Sequence, residues 1–429
     1  MTSDATIPND ADRETHVLMM PVMTSDTTIP NDLTRPIQLR WPNSLRFGVG
    51  SASALNDDLD AARRRRVLLI TAPPIRPLVR QVLDATKLET LVIFDDIRAE
   101  PDTGTFLRAM DAAREADPDA VIGLGGGSVM DVAKLVAVLL DGGQSLAEVF
   151  GIDKLRRRST WLACLPTTAG TGSEVSPNAI LLDEADNLKK GVISPHLVPD
   201  LAIVDPQLTL AVPADVTAAT GLDALTHCIE AYASRFAHPL IDPYALEGIA
   251  LIARSLVRAV EDGQDLQART DMALGSLYGG LCLGPVNTGA VHALSYPLGS
   301  AFHVPHGLSN AVLLPHVLKF NLPSAVARYA RIADVLDVAP DTRGFAPGKP
   351  DVETEVSPSE LEQRALRGIE RLAEMLRRCR IPTRLRDLGV PRSSIGLLAR
   401  QAMTVTRLLD RNPRKVAEND AIAIYREAW

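Results

Sequence analysis

From Arg66 onward, short apolar runs alternate with longer amphipathic stretches. Val67 to Thr71 (VLLIT) is apolar and halts at Pro73-Pro74, an amphipathic stretch continues to Leu88, and Leu91 to Phe94 forms a second run. Phe106 to Ala116 has helical spacing, Ala120 to Leu124 (AVIGL) reads as a third strand, and Val129 to Leu140 is a strong helix former. Trp161 to Leu165 and Leu201 to Val204 supply two further strands. Strand, turn and helix in repeated order predict an α/β unit with a parallel sheet covered on both faces.

After Asp205 the pattern changes. Amphipathic Ala/Leu-rich stretches dominate: Leu222 to Arg235, Pro243 to Val260, Gln267 to Leu283, Glu360 to Arg378 and Ser394 to Leu409. They predict an all-α unit. Pro206 and Pro213 mark the switch, and Asp341 to Ser357, rich in Gly, Pro and charge, reads as a surface loop. The expected organisation is a tail over residues 1–34, an α/β unit over 35–205 and a helical unit over 206–429, with the ligand cleft between the last two. Met1 to Asp10 recurs almost unchanged at Met23 to Asp32, which fits a small duplication or a start at Met23.

Composition narrows the classes. A chain of 429 residues exceeds one ordinary core, which supports two units. The net charge of −8 argues against a nucleic-acid surface. The cysteines, Cys164, Cys228, Cys282 and Cys379, are scattered without a CxxC pair, which points to a reducing, cytoplasmic compartment. No apolar stretch approaches the ~20 residues that cross a bilayer.

Three segments could carry chemistry. Gly125-Gly126-Gly127-Ser128 lies between a strand and a helix, where backbone N–H groups can approach a phosphate or the turn simply needs positive φ. Pro166 to Asn178 (PTTAGTGSEVSPN) offers hydroxyls and glycines after another strand, and ligands of open α/β sheets sit at such carboxyl ends. In GLDALTHCIEAY, Asp223 and His227 lie four apart on one helical face, and His292 and His306 follow in GAVHALSYPLGSAFHVPHG. A carboxylate with three imidazoles completes a ligand set for a divalent metal while leaving room for a substrate oxygen. The alternatives are a surface Asp–His pair and histidines satisfied within a core.

In this order and spacing, from Phe47 to the C-terminal LLDRNPRKV and IYREAW, the segments resemble the iron-containing alcohol dehydrogenase family, related in fold to dehydroquinate synthase. The resemblance implies a Rossmann-like dinucleotide-binding half, a helical metal-binding half, and a homodimer or larger assembly. It implies Asp223, His227, His292 and His306 as ligands to Fe2+, with Zn2+ also accepted, and NAD(P)(H) as the hydride carrier. Gly125, Gly126, Gly127 and Ser128 match the pyrophosphate loop, with Asp131 behind it. Thr167, Thr168, Gly170, Thr171 and Asn178 match the second cofactor loop, Lys189 a lysine near the ribose, and Asp205 the end of the nucleotide half.

Two departures stand out. Where many members carry a second histidine after the third ligand, this chain has Tyr296, which leaves Tyr296 or His303 as candidate proton relays. After the first strand, Ala72 replaces an Asp that would repel a 2′-phosphate, so NADP is permitted and Arg76 could meet it. With no Arg or Lys clustered beside the ligand segments, a small neutral alcohol or aldehyde is the expected substrate. The rival readings are a hydroxyacid–oxoacid transhydrogenase, suggested by Ser295-Tyr296-Pro297, a maleylacetate reductase, and a non-catalytic metal- or nucleotide-binding protein.

Overall fold

A computed structural model describes residues 33–98, 100–185, 188–337 and 357–429. The expected tail, except Leu33 and Thr34, and the expected loop, except Ser357, lie outside the described residues.

The strands are β1 (Ser44–Phe47), β2 (Arg66–Ile70), β3 (Thr90–Phe94), β4 (Ala120–Gly125), β5 (Gly151–Ile152), β6 (Trp161–Pro166), β7 (Asn178–Asp183), β8 (Leu188–Ile193) and β9 (Leu201–Val204). Six of them form one sheet in the order β1-β9-β6-β4-β2-β3, parallel throughout. Alternation along β2 shows why both faces are covered. Leu68 and Ile70 pack on one side with Phe106, Met110 and Val129, whereas Val67 and Leu69 pack on the other with Leu55, Leu59 and Val82. Helices α1 (Leu55–Ala61) and α2 (Val79–Val82) lie on the second face, and α3 (Thr103–Ala116) and α4 (Gly127–Leu139) on the first. Strand order reverses between β2 and β4, and a crevice opens at such a switch point.

The amphipathic stretch expected before Leu88 is largely short turns, with α2 as its one α-helical turn. A smaller sheet of β5, β8 and β7 was not expected. Its strand β8 reads LKKGVI, too polar to resemble a buried run, because five of its six residues stay half-buried, Lys189 among them beside the cleft.

Beyond the short helix α5 (Leu146–Val149), the helical half begins with α6 (Ala214–Ala233), α7 (Asp242–Glu261) and α8 (Leu266–Leu283). It continues with α9 (Ala290–Phe302), α10 (His306–Leu336) and α11 (Pro358–Arg378). The chain closes with α12 (Ile395–Ala402), α13 (Thr406–Leu409) and α14 (Glu418–Ala428). The stretch expected as one helix over Ser394 to Leu409 is thus broken at Met403 to Val405, where Val405 leaves helical geometry. From Thr217 on, α6 is buried almost all round, so it serves as the axis of the helical core. Among the described residues no helix is long and apolar enough to cross a membrane.

The two halves meet at the loop after β6. Gly172 adopts φ +61° there, and an added Cβ would stand 2.3 Å from Cα of Gly280 in α8. Only glycine suits both the backbone conformation and the distance.

Candidate metal centre and nucleotide cleft

Helical periodicity places Asp223 and His227 one turn apart on the buried face of α6. His292 occupies the first turn of α9, and His306 opens α10 immediately after Pro305. The three Nε2 atoms converge on Asp223 Oδ1, at 3.7 Å from His227, 3.5 Å from His292 and 3.6 Å from His306. The His227 and His292 rings stack at 4.8 Å, and His306 tilts against His292 at 5.2 Å.

Other residues hold these rings in place. Glu230, on the next turn of α6, accepts from the Val291 backbone N–H at 2.7 Å and bonds His292 Nδ1 at 2.5 Å. Asn412, in the C-terminal RNPR segment, accepts from the Ala290 N–H and pairs reciprocally with Asn321. The C-terminal motif thereby fixes the start of the helix that carries His292. Glu230, Asn412 and Asn310 were not anticipated. The signal for Glu230 was its spacing, seven residues after Asp223 on the same helical face.

Burial pushes His227 down to about 4 and His306 down to about 3, so both are neutral lone-pair donors. Burial would also lower His292, but Glu230 and Asp223 outweigh it and hold that ring up at about 9. Asp223 would be raised by burial, yet the surrounding His227, His306 and His292 keep it below the ordinary carboxylate range.

A divalent cation fits this set on two grounds. Ligand atoms at ~2.1 Å from a tetrahedral ion stand ~3.4 Å apart, close to the 3.5–3.7 Å between Asp223 Oδ1 and each imidazole Nε2. Among the described residues Asp223, His227 and His292 have all their ligand atoms within 4.8 Å of one another, with His306 set further out. Moreover, Asn310 Nδ2 is the hydrogen-bonding group at the focus, 2.7 Å from Asp223 Oδ1, 3.1 Å from His292 Nε2 and 3.2 Å from His306 Nε2. Two amide hydrogens cannot serve three such neighbours fully, and Asn310 Oδ1 is buried without a partner. A cation would take up the lone pairs of Asp223, His227 and His306, and that of His292 on displacing its Nε2 proton.

The same cavity extends to the sheet, where Gly127, Ser128, Asp131, Thr171, Asn178 and Lys189 line it. Gly125, Gly126 and Gly127 do not have positive φ; they permit close approach. A Cβ on Gly127 would meet Thr171 Cγ2 at 2.6 Å, so the two loops touch. The α4 N-terminus has no side-chain cap, which leaves its N–H groups facing outward for an anion. Asp131 is a brace: it accepts from Ser173 Oγ at 2.6 Å and from the Ile180 N–H at 2.9 Å. Buried Lys134 completes the brace, donating to Ser173 Oγ and to the Ser176 and Asn178 carbonyls.

Asn178 Oδ1, in the cavity wall, is buried without a partner, which suits hydrogen bonding to a bound molecule, whereas Thr167, whose Oγ1 is likewise unpartnered, is fully buried and does not line that cavity. Thr168 lies against Gly126, whereas Gly170 packs against Thr220 of α6 and supports the join between the halves. Lys189 Nζ pairs with Glu100 at 2.8 Å. Asp205, at the end of β9, accepts from the Gly50 and Ala52 N–H groups and so ties that strand to the segment after β1.

Tyr296 lines the cavity with its ring 5.8 Å from that of His306. His303 does not: it closes α9 in a left-handed conformation (φ +53°) and is exposed, which removes it as a proton relay. Arg407 of α13 does line the cavity, far downstream in sequence, so a basic residue flanks the ligand cluster in space though not along the chain. Arg76, the candidate for a 2′-phosphate, is engaged by Asp95.

A parallel sheet with a glycine turn at its switch point, facing an Asp-and-three-His cluster on helices, is an arrangement that can hold a nucleotide and a divalent cation side by side. Comparison supplies the family. Residues 42–206 match the model "Iron-containing alcohol dehydrogenase", and residues 217–429 match "Fe-containing alcohol dehydrogenase family, C-terminal". The chain is 39% identical over 396 residues to long-chain-alcohol dehydrogenase 1 of Geobacillus thermodenitrificans, covering 91% of this chain and 96% of that one. A crystal structure of 1,3-propanediol oxidoreductase superposes with a TM-score of 0.84 at 32% identity, covering 92% of this chain and all 100% of that one. The NAD+ complex of sulfoacetaldehyde reductase from Bifidobacterium kashiwanohense gives 0.78 at 26% identity, with 92% and 99% covered. This chain belongs to the iron-containing alcohol dehydrogenase family.

Proposed function

We propose that the chain is a metal-dependent, NAD(P)-linked alcohol dehydrogenase and aldehyde reductase, with its nucleotide half at residues 35–205 and its metal half at 206–429. One observation carries this reading: three imidazole Nε2 atoms and one carboxylate converge in the cavity that the uncapped α4 N-terminus also borders. The names of its relatives, which include 1,3-propanediol dehydrogenases and lactaldehyde reductases, support a small alcohol or aldehyde as substrate.

Asp223, His227, His292 and His306 would hold Fe2+, or Zn2+ in its place. Gly126, Gly127 and Ser128 would meet the pyrophosphate, with Thr168 and Thr171 beside it. When bound, the ion supplies Lewis acidity toward the substrate oxygen and the nicotinamide supplies the hydride chemistry. Glu230 keeps His292 oriented with Nε2 inward, the arrangement in which an imidazole ligates well. Burial raises the Tyr296 hydroxyl above its ordinary value, so it stays protonated and acts as a hydrogen-bond donor in the cavity. Loop-to-helix packing at Gly172 and Gly280 joins the nucleotide half to α8. Four buried, unbridged cysteines support a reducing cytoplasmic setting, and exposed Phe47 and Val49 beside edge strand β1 support self-association as a homodimer or larger.

The test is metal analysis of anaerobically purified protein, with NADH and NADPH oxidation against short aldehydes before and after chelation. The reading expects about one ion per chain bound by four ligands and loss of turnover with the ion. Protein that takes up neither iron nor zinc, or turns over equally without metal, overturns it.

A further inference from the structure

We propose that Arg407 binds a carboxylate carried by the substrate, so that the enzyme acts on hydroxy acids and oxo acids whose reacting carbon lies at the far end from the acid group. This rests on the dehydrogenase reading above and specifies its substrate class.

Arg407 projects from α13 into the cavity that holds the metal cluster. Its Nη1 is buried and has no hydrogen-bond partner, while the guanidinium lies against the Tyr296 hydroxyl. A buried, unsatisfied guanidinium N–H is costly, and a carboxylate is the group its planar fork matches best. The other cations lining these cavities are already paired, Lys189 with Glu100 and Lys190 with Asp183. Arg407, Tyr296 and Lys189 also border a second cavity, where Gln401 Oε1 is likewise buried and unpartnered. The walls there include Ser300, Thr404 and Thr406, so this end of the cleft is polar. A substrate with its reacting oxygen at the Asp223–His cluster would therefore meet Arg407 with its other end.

The chemistry balances without further reagents. In the oxidative direction the carbinol carbon gives its hydride to NAD(P)+, the hydroxyl gives its proton to solvent, and a carbonyl forms. The carboxylate is unchanged throughout.

The test compares kcat/KM for ω-hydroxy acids of about two to six carbons with those of matched unbranched alcohols, a span that brackets a small cleft. Wild type, Arg407→Leu and Arg407→Lys are measured on metal-loaded protein. Wild type should prefer the acid at its best length, and Arg407→Leu should lower the acid-to-alcohol ratio by about 30-fold or more, mainly through KM. Arg407→Lys should retain part of the preference. Calorimetric titration of the same acids without nicotinamide should show binding to wild type that Arg407→Leu loses. A wild-type ratio at or below one for every length overturns the proposal. So does an equal loss on acid and alcohol, which would make Arg407 a brace for Tyr296. A rise in KM for NAD(P)H with an unchanged ratio also overturns it, by assigning Arg407 to a cofactor phosphate. If neither acids nor alcohols are oxidised, the dehydrogenase reading fails; the calorimetric difference alone then upholds or ends the Arg407 assignment.

Discussion

Replacing Glu230 by glutamine tests how the metal centre is built, because it keeps the side chain's shape and removes its charge. The carboxylate accepts from the Val291 N–H at 2.7 Å and bonds His292 Nδ1 at 2.5 Å, with both partners buried. The glutamine oxygen can serve one of these, and its amide then meets the other as a second donor. Such partners behind a ligating histidine typically matter 10- to 100-fold in metal affinity, about 1.4–2.7 kcal/mol. Glu230→Ala should also leave the His292 Nδ1–H unsatisfied, costing about 1–3 kcal/mol of stability. Competitive titration with a zinc chelator measures the affinity, and activity against added metal shows whether excess ion rescues turnover. Weaker affinity with rescue is the expected result. Wild-type affinity in both variants would refute the claim that Glu230 orients a ligand.

Lys134→Met should remove about 3–5 kcal/mol from denaturant unfolding, since it leaves Asp131 and three acceptors buried without their cation, and it should weaken NAD(P)H binding measured by fluorescence. Gly172→Ala should cost more than ~2 kcal/mol, because φ +61° disfavours alanine and its Cβ would meet Gly280 Cα at 2.3 Å; a wild-type Tm would contradict this. In metal-stripped protein, His292 sits up at about 9, so its contribution to stability is complete below ~6.5 and is lost as pH rises through about 9. His227 and His306, pushed down to about 4 and about 3, act oppositely and cost stability as pH falls below ~6.5. Denaturant midpoints of stripped protein should therefore peak near pH ~6.5 and decline on both sides, and a flat profile from pH 4 to 9 would contradict the cluster's arrangement.

What could be read from sequence was whatever depends on local periodicity. The five strands of the main sheet after Arg66 were legible because each is a short run apolar on both faces, and parallel strands under two helical layers must read that way. Strand β1 was less visible, for it lies at the sheet edge with three of its four residues exposed. The Asp223–His227 pair was legible because four residues make one helical turn. That His292 and His306 join it rested on their residue type and on resemblance, since no local rule brings three separate helices to one point. His303 and Arg407 show the limit from opposite sides. His303 lies within a few residues of a ligand, yet a left-handed helix cap turns it out to solvent. Arg407 lies far from every ligand in sequence, yet the break after α12 starts a new turn that carries it into the cavity.

This contrast bears on how the family's chemistry could be tuned without rebuilding its centre. Glu230 locks His292 from behind, and Asn412 locks the start of α9, so substitutions there act first on the proposed metal site. The far wall is assembled from Tyr296, Lys189, Gln401 and Arg407, which come from α9, β8, α12 and α13. None of these four is bonded to a ligand histidine. Their identities can change what the cleft accepts while the Asp223–His geometry stays as it is, which is the physical basis for expecting substrate selection to reside in this wall.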